Sequence, residues 1–493
     1  MLKANQIKQH STLDSCWLVI HGHAFDVTEF LPDHPGGQAI LLKYAGADAT
    51  EAYDPIHPPG TIEEYLPKEK HLGKVDPSEL KALQLIEKAK NPNPHPTTTE
   101  SLPPLSNCLS LYDFESLAET KLSSQAWAYY SSGSDDEISM RENRLAFQRI
   151  WFRPRILRNV SKIDFSTNLL GSKTSIPIYI TATALGKLGH VDGEKNLTRA
   201  AEIEDVIQMI PTLSSVPFLE LSNPKHQSQW FQLYVNADRV KTEALVKRAE
   251  ANGIKALFIT VDAPQLGRRE KDMRLKFETL GSDLQENESI DKSQGATRAI
   301  SSFIDSSLCW DDIPWFKSIT KLPIILKGVQ TWEDAVLAYE YGLQGVVLSN
   351  HGGRQLDYAR SGIEVLEEVV QEFKKRSIYD LNKFEIYVDG GIRRSSDVLK
   401  ALCLGAKAVG IGRPFLYAYS TYGVPGVVRA IQILKDELEM DMRLIGAPTL
   451  DDLRPEMLDI SSLKNRSADT LPDYKFRQNY QPLPKITPGA SKL

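Results

Sequence analysis

Cysteine, long apolar runs and excess positive charge are all scarce in this sequence, and each shortage excludes a class of protein. The 493 residues contain only Cys16, Cys108, Cys309 and Cys403, with no Cys-x-x-Cys pair, which argues against a disulfide framework or a zinc site. No apolar run approaches the roughly 18 residues needed to cross a bilayer, so we expect no membrane partner. The formal net charge of −6 offers no basic surface of the kind that binds nucleic acid.

The N-terminus also lacks targeting signals. Residues 1–8 contain neither an apolar signal core nor an Arg- and Ser-rich amphipathic presequence. We therefore expect a cytoplasmic protein. The alternative is the mitochondrial intermembrane space, if a presequence has been removed from this chain.

The chain, at 493 residues, is longer than a typical single domain with one hydrophobic core, so several domains are expected. We divide it into a small first domain (residues 1–76), a proline-rich linker (77–105), a barrel domain (106–465) and a C-terminal tail (466–493). The linker combines a short charged helix, predicted over 78–90, with a proline-dense stretch that is typical of semi-extended chain. The two domains are therefore expected to move relative to each other. The polar, proline-containing tail is expected to be extended, and it could wrap a neighbouring subunit.

The first domain has few elements around one short turn. Residues 16–20 and 23–27 are predicted strands on either side of His21-Gly22, and residues 38–44 carry apolar side chains at helical spacing. Roughly 75 residues are marginal for one core, so a bound prosthetic group would help to stabilise the domain.

Two histidines in this domain suit a haem iron. His34 precedes Pro-Gly-Gly and His57 precedes Pro58, so a tight turn fixes each imidazole. A six-coordinate b-type haem needs two neutral imidazoles across an apolar slot, and its filled axial positions leave one-electron transfer as its role. Because no Cys-x-x-Cys-His occurs, covalent attachment is excluded. The alternative is a pair of surface histidines in proline-rich turns.

The second domain alternates short β-branched runs with helical stretches. Eight such runs occur: Ile176–Thr183, Val206–Thr212, Gln229–Val235, Ala256–Ala263, Pro323–Val329, Gly345–Asn350, Phe384–Asp389 and Ala408–Gly412. This rhythm predicts an α/β fold, a (β/α)8 TIM barrel. A doubly wound sheet is the alternative, but its Gly-x-Gly-x-x-Gly fingerprint is missing.

Glycine-rich loops follow the last two predicted strands, where barrels of this type bind phosphate. Strand seven ends in Asp389-Gly390-Gly391-Ile392-Arg393, and strand eight leads into Gly412-Arg413. Glycines let backbone N–H groups approach a phosphate, and the two arginines add charge-assisted hydrogen bonds. Either loop alone would be explained equally well by ordinary turns.

Three side chains at strand ends suit the oxidation of a 2-hydroxy acid. That reaction needs a base for a proton and a cation for the carboxylate. His351, just after strand six, is the predicted base, and Arg354 in the same loop is the predicted carboxylate ligand. Asp262, at the end of strand four, is expected to orient the imidazole. Taken singly, each would more often be structural.

Two resemblances cover nearly the whole chain. Residues 16–73, with His-Pro-Gly-Gly and the second histidine, resemble the cytochrome b5 family. Residues ~110–465 resemble the FMN-dependent 2-hydroxy-acid dehydrogenase/oxidase family, and the order of haem domain, linker and barrel is similar to the flavocytochrome b2 family. The resemblance implies FMN and haem b as cofactors, a small L-2-hydroxy acid as substrate, a cytochrome c-like acceptor and a homotetramer.

The resemblance also implies roles for substrate-side residues. Tyr129 would contact the substrate carboxylate and couple to the haem domain, Tyr234 would bond the substrate hydroxyl, and Arg269 would be a second arginine on a mobile loop. Ala184 and Leu213 would leave room for a methyl group, which favours lactate over bulky aryl hydroxy acids.

Further roles are implied around the flavin. Lys327 would lie near the flavin N1 and C2 carbonyl and stabilise the anionic reduced ring. Thr183, Gln232 and Thr260 would bond the ring system or its chain. Pro211 departs from the family pattern, because relatives usually offer a serine hydroxyl there. One hydrogen bond of about 1 kcal/mol would be lost, with consequences for flavin affinity or redox poise.

We therefore predict that FMN oxidises L-lactate to pyruvate, and that the electrons pass through the haem to a cytochrome c-like acceptor. Two alternatives stay open: a 2-hydroxy-acid oxidase whose flavin is reoxidised by dioxygen, and a haem electron carrier on an inactive barrel. Proton and hydride routes from the substrate carbon require the same base, so the sequence does not distinguish them.

Overall fold

A computed structural model describes most of both predicted domains. The described residues are 1–34, 38–54, 56–57, 60–81, 83, 102–223, 225–278 and 304–466. Most of the predicted linker helix (78–90), the proline-dense stretch that follows it and nearly all of the tail (466–493) lie outside these ranges.

The N-terminal unit is a four-stranded antiparallel sheet with short helices. Its sheet has the order β1-β2-β3-β4. The strands are β1 (Ser11–Thr12), β2 (Ser15–Ile20), β3 (His23–Asp26) and β4 (His71–Lys74), and the helices are α1 (Ala4–Lys8), α2 (Gln38–Tyr44), α3 (Thr50–Tyr53) and α4 (Thr61–Tyr65). Both predicted strands and the predicted helix are confirmed, and the turn between β2 and β3 has two left-handed residues, His21 and Gly22.

Alternation along β2 divides the apolar side chains of this unit between two clusters. Cys16, Leu18 and Ile20 face one cluster, which α2 covers with Leu41 and Leu42. Val19 faces the other, together with Ala4, Ile7, Ala24, Val75 and Leu83. The sheet therefore has an apolar layer on each face, and the histidines lie on the α2 side.

The second unit is a closed barrel of eight parallel strands, ordered β10-β11-β12-β13-β14-β15-β8-β9. Its strands are β8 (Ile178–Ile180), β9 (Ile207–Pro211), β10 (Gln229–Leu233), β11 (Leu257–Thr260), β12 (Ile324–Val329), β13 (Gly345–Leu348), β14 (Glu385–Asp389) and β15 (Ala408–Ile411). Each of the eight predicted runs contains one of them, so the TIM-barrel prediction is confirmed. Every barrel-strand residue is buried, as expected of strands covered on both faces.

Helices surround the barrel or precede it. They are α5 (Leu111–Lys121), α6 (Ser124–Ser131), α7 (Ile138–Gln148), α8 (Lys195–Glu204), α9 (Phe218–Leu221), α10 (Arg239–Ala251), α11 (Glu270–Glu278), α12 (Ile313–Ile319), α13 (Trp332–Glu340), α14 (Gly362–Lys375), α15 (Ser395–Leu404) and α16 (Arg413–Ile445). Gly423, at φ 63°, and Pro425 kink α16. Among the helices of the described residues, none has the length and apolar character of a membrane span.

Two short antiparallel strand pairs complete the barrel unit. β6 (Thr167–Leu169) and β7 (Ser172–Thr174) form a hairpin, and β5 (Trp151–Phe152) pairs with β16 (Leu458–Asp459). The hairpin places Leu169 and Leu170 against the cluster inside the barrel. That cluster fills the interior with side chains such as Trp230 and Phe258, which stack at 4.7 Å between ring centres. Space for a ligand is therefore expected at the opposite, C-terminal end of the strands.

Candidate active site

The inward-facing side chains of the barrel change from apolar to polar between one inward position on each strand and the next. Six members of the internal cluster are Tyr179, Trp230, Phe258, Ile325, Val347 and Tyr387. Two residues further along each strand the inward positions hold Thr181, Gln232, Thr260, Lys327, Ser349 and Asp389, all buried. Because side chains alternate along a strand, this second layer lies above the first and forms the polar floor of the site.

Lys327 is the buried cation of this floor. Its Nζ lies 3.1 Å from Asp389 Oδ2, and it donates to the Ser349 hydroxyl at 3.4 Å. Burial alone would favour the neutral amine, but Asp389 and Asp262 outweigh it and raise the pKa of Lys327. The amine is therefore charged at neutral pH, as stabilisation of an anionic flavin ring requires.

Gly328 lets Asp262 approach Lys327 closely. Gly328 has φ 112°, and a Cβ there would lie 2.4 Å from Asp262 Cγ. Asp262 is itself buried, which would raise its pKa, yet the positive charge and hydrogen bond of His351 and the charge of Lys327 lower that pKa. The carboxylate is therefore ionised beside the imidazole.

Asp262, His351 and Tyr234 form a hydrogen-bonded chain. His351 Nδ1 lies 2.8 Å from Asp262 Oδ1, and Nε2 lies 3.2 Å from the Tyr234 hydroxyl. An ionised carboxylate only accepts, so Nδ1 carries the proton and Nε2 of the neutral ring is free of one. Burial raises the pKa of Tyr234 far above neutral, so the phenol donates to Nε2. The structure therefore brings the three predicted residues together, and this tautomer presents Nε2 as a base.

A strained loop holds the imidazole in place. His351 has φ 58°, and Gly352 and Gly353 follow with φ of 67° and 74°. Such values are uncommon for a residue with a Cβ, and they persist where the surroundings fix them. Here the Ser349 hydroxyl accepts from the His351 N–H at 3.0 Å, and a Cβ on Gly353 would lie 2.4 Å from the Met140 nitrogen.

Two arginines converge on one tyrosine ring. The guanidinium carbons of Arg354 and Arg269 lie 5.0 Å and 5.6 Å from the centre of the Tyr129 ring. Burial and the neighbouring Arg269 lower the pKa of Arg354 to about 9, so it stays protonated at neutral pH. Because Arg269 is buried and Arg354 is partly buried, these two adjacent like charges need an anion between them, and the carboxylate of a substrate suits this place.

Arg354 is anchored by the chain around Tyr129. Its Nη1 donates to the carbonyls of Tyr129 and Ser132 at 2.7 and 3.1 Å. Arg269 is only 5% exposed and precedes α11, and its Nε has no hydrogen-bond partner among the described residues. An unsatisfied buried donor beside a fixed guanidinium again points to a missing acceptor. The predicted mobility of the Arg269 loop and the coupling of Tyr129 to the haem domain remain predictions.

The residues predicted to hold the flavin lie in the polar floor or close to it in the chain. Gln232 donates from Nε2 to Thr260 Oγ1 at 2.8 Å and accepts from the Thr212 N–H at 3.2 Å. The Thr183 hydroxyl is buried without a hydrogen-bond partner in the described part of the chain, and its methyl group is 3.4 Å from the position of a Cβ on Gly412. An orphaned hydroxyl beside the loop after β15 fits a bound flavin chain.

The loop after β14 requires glycine. Gly390 and Gly391 have φ of 87° and 84°, and a Cβ on Gly391 would lie 1.9 Å from the Asn143 carbonyl. The Arg393 guanidinium faces Glu115, with Nε donating at 2.9 Å. In the next loop, Arg413 donates to three backbone carbonyls at 2.9 Å each. The structure therefore places both arginines at the predicted loops, and phosphate binding by them remains a prediction.

Pro211 lies inside β9, opposite Gln232 on β10. The strand pairing continues up to this residue, so the fold survives the proline as expected. Leu213, two residues later, is 8% exposed at the start of the loop after β9.

Sequence reasoning missed three residues that position the site. Gln355 donates to the Asp262 and Gln265 carbonyls at 2.9 Å and accepts from the Gly267 N–H, so it holds the start of the Arg269 loop. Asp357 accepts three N–H groups from residues 136–139, and Asn143 exchanges hydrogen bonds with Asn350. Gln355 and Asp357 lie in the same loop as His351 and Arg354, but their partners are distant in sequence.

In the N-terminal unit, His34 and His57 face each other. Their ring centres are 6.1 Å apart, and the rings are inclined by 35°. Two metal–nitrogen bonds of about 2 Å, with about 1 Å from each nitrogen to its ring centre, span roughly 6 Å. One iron therefore fits between the two imidazoles.

The surroundings of the two imidazoles suit a porphyrin. His57 Nδ1 donates to the Tyr53 carbonyl at 3.1 Å, which leaves Nε2 for a metal, and burial lowers the pKa of His57 so that the ring is neutral. Phe30, Leu41 and Leu42 remain only partly buried beside the core of this unit. Apolar side chains left partly exposed next to two neutral imidazoles form the slot that a haem would cover.

Both units match known families. Residues 118–460 match the FMN-dependent dehydrogenase family, and residues 3–76 match the cytochrome b5-like haem/steroid binding domain. Since the first match spans more than half of the chain, the chain belongs to the FMN-dependent dehydrogenase family, as a member with a cytochrome b5-like domain at its N-terminus. FMN is accordingly the cofactor of the barrel, and haem b is that of the N-terminal unit.

Within this class the chain is similar to particular enzymes. It is 54% identical over 489 residues to an L-lactate dehydrogenase (cytochrome) of Wickerhamomyces anomalus, covering 96% of this chain and 82% of that one. The enzyme of the same name from Saccharomyces cerevisiae is 49% identical, covering 97% and 82%. The structure of a flavocytochrome b2 mutant with pyruvate bound superposes with a TM-score of 0.69 at 51% identity, covering 78% of this chain and 94% of that one.

Proposed function

We propose that this chain oxidises L-lactate to pyruvate and delivers the electrons, through its N-terminal haem unit, to a c-type cytochrome. The observation that carries the proposal is the hydrogen-bonded chain of Asp262, His351 and Tyr234 beside two adjacent arginines. Together these residues supply a base, a hydroxyl ligand and a carboxylate site at the C-terminal ends of several barrel strands.

The substrate carboxylate binds between Arg354 and Arg269, where it neutralises two adjacent guanidinium groups. The substrate hydroxyl then faces Tyr234 and His351. His351 Nε2 takes up one proton, and the ionised Asp262 stabilises the imidazolium that forms. Loss of two electrons and two protons converts the hydroxy acid to the 2-oxo acid.

FMN, when bound, accepts the two electrons together and releases them singly, and haem b carries them one at a time. Lys327 contributes a fixed positive charge at the barrel floor, held by Asp389 and Asp262. The proposed acceptor is basic because the N-terminal 76 residues carry eleven carboxylates against six lysines and no arginine, a net charge of −5.

We also propose a homotetramer. Exposed apolar side chains occur in β5 and in the segment that follows it, where Trp151, Ile156 and Leu157 are 67%, 83% and 100% exposed. Large apolar side chains this close together on a surface are typical of a subunit interface. Sedimentation velocity of the holoenzyme tests the proposal, and a monomer at micromolar concentration would contradict it.

Stopped-flow absorption of the holoenzyme tests the activity. On mixing with L-lactate, we expect rapid flavin bleaching followed by reduced-haem bands, and two molecules of c-type cytochrome reduced per pyruvate. A flavin that stays oxidised with L-lactate, L-mandelate and glycolate refutes the proposal. Stoichiometric peroxide with little cytochrome reduction would instead identify an oxidase, and haem without flavin would identify an electron carrier on an inactive barrel.

A further inference from the structure

We propose that Glu194 is a positioning residue that sets the size of the pocket for the substrate's side chain, because it holds together the loops after β8 and β9. The inference rests on the proposed function and on the expectation, implied by the family resemblance, that Ala184 and Leu213 on these two loops line the space for the substrate's methyl group. Glu194 touches neither substrate nor flavin and acts through the backbone.

One carboxylate joins the two loops. Glu194 is fully buried just before α8, and its Oε1 accepts from the N–H groups of Gly186 and Ser215, both at 2.9 Å. Its Oε2 accepts from the Ser215 hydroxyl at 2.8 Å. A buried carboxylate is stable only where several donors surround it, so a shift of either loop would leave the charge poorly solvated.

The loops are fixed to each other a second time. The Lys187 N–H donates to the Ser215 hydroxyl at 2.9 Å. A Cβ on Gly186 would lie 2.8 Å from the Glu194 carboxyl carbon, so only glycine permits this close approach. The contact is therefore both a set of hydrogen bonds and a tight steric fit.

Two tyrosines hold the opposite side of the first loop. The Tyr130 hydroxyl donates to the Leu185 carbonyl at 2.7 Å, and the Tyr419 hydroxyl donates to the Gly186 carbonyl at 3.3 Å. The backbone of this loop is consequently bound at the Gly186 N–H by Glu194 and at two carbonyls by the two phenols.

The pocket residues stand at matching places on the two loops. Ala184 comes two residues before Gly186, and Leu213 comes two residues before Ser215. Glu194 therefore binds each loop two residues away from its pocket residue. The distance between the two sides of the pocket consequently depends on the hydrogen bonds of Glu194. Since one methylene in an apolar pocket changes discrimination by roughly 10- to 200-fold, a small widening is measurable.

Substrate discrimination tests the proposal. Holoenzymes of wild type, Glu194→Gln and Ser215→Ala are compared by anaerobic flavin reduction with L-lactate and L-2-hydroxyhexanoate. For Glu194→Gln we expect the ratio of kcat/KM for lactate over the longer acid to fall about 10-fold, largely through KM for lactate. Ser215→Ala loses the hydroxyl but keeps the hydrogen bond from the Ser215 N–H to Glu194. We therefore expect a smaller fall in the lactate preference of this variant.

Glu204→Gln is the matched control. Glu204 is a buried acid on the same helix, but it bonds Gln432 and Lys435 rather than the loops. Its ratio should stay at the wild-type value even if stability falls. The proposal is overturned if the ratio of kcat/KM for lactate over the longer acid is unchanged in both Glu194→Gln and Ser215→Ala. If Glu194→Gln does not fold, the result for Ser215→Ala decides. A wild-type flavin that no L-2-hydroxy acid reduces refutes the proposed function, and the role of Glu194 with it.

Discussion

Lys187 of the barrel and Asp54 of the haem unit form an ion pair of 3.4 Å across the boundary between the two units. Asp54 lies three residues before His57, so the pair is close in sequence to a predicted haem ligand. A second pair, between Lys241 Nζ on α10 and Glu64 Oε1 on α4, spans 2.7 Å. Basic residues of the barrel therefore hold the acidic haem unit beside it.

Lys241→Glu is expected to slow haem reduction without slowing flavin reduction. The substitution places two carboxylates opposite each other, and exposed pairs are worth about 0.2–1 kcal/mol, so we expect a decrease of up to about 5-fold. The effect should fade at high salt, which screens exposed charges. Stopped-flow traces at the flavin and haem wavelengths give both rates.

Two further variants control this experiment. Lys247→Glu makes the same charge change on α10, but Lys247 pairs with Glu243 on its own helix, so the haem rate should be normal. Combining Lys241→Glu with Glu64→Lys restores the pair with reversed charges and should restore the rate. Equal slowing by Lys247→Glu would show that only net charge matters.

Replacing either histidine of the haem pair should separate the two redox steps. His34→Ala or His57→Ala removes one of the two imidazoles that would ligate the haem iron. The protein should therefore lose its haem and the haem absorption bands. Flavin content and flavin reduction by L-lactate should persist, since the barrel has its own core. Cytochrome c reduction should fall to background. A variant that still reduces cytochrome c at the wild-type rate would exclude the haem as the electron path.

Asp262→Asn should impair the base without removing it. An amide side chain can donate to Nδ1 and so favours the tautomer with its proton on Nε2, the wrong nitrogen for proton uptake. General base catalysis is worth about 10²- to 10⁴-fold, and we expect the flavin reduction rate to fall within that range. The flavin reduction rate of His351→Gln should fall as far, and the flavin and haem absorption spectra of this variant should be intact. Normal turnover in either variant would contradict the assigned base.

The barrel and the catalytic chain could be predicted from the sequence because their signals are local. Short runs such as 345–350 and 384–389 consist mainly of apolar residues, and polar residues that bear the chemistry lie at or just after their ends. Contacts between distant residues left no such signal. Arg393 meets Glu115, and Glu194 meets Gly186 and Ser215, only because the fold brings them together. The ion pairs between the two units were equally inaccessible, since each charge alone resembles an ordinary surface residue.

Asp441→Asn is expected to stabilise the barrel at neutral pH. Burial near the end of α16, with Glu437 and Asp397 nearby, raises the pKa of Asp441 from 3.8 to about 6, although Lys400 and Arg394 oppose the shift. A raised pKa means that the folded state favours the protonated acid, so this contribution to stability is present below about pH 4 and is lost as the pH rises through 6. At pH 7.5 the free energy of unfolding of the variant should be about 1–2 kcal/mol higher, after allowance for partial exposure.

Urea unfolding of the variant and the wild type at pH 7.5 and pH 4.5 measures this difference, which should shrink at the lower pH. Asp436→Asn, an exposed acid on the same helix, should change neither value, and a gain for Asp441→Asn that is equal at both pH values would contradict the prediction.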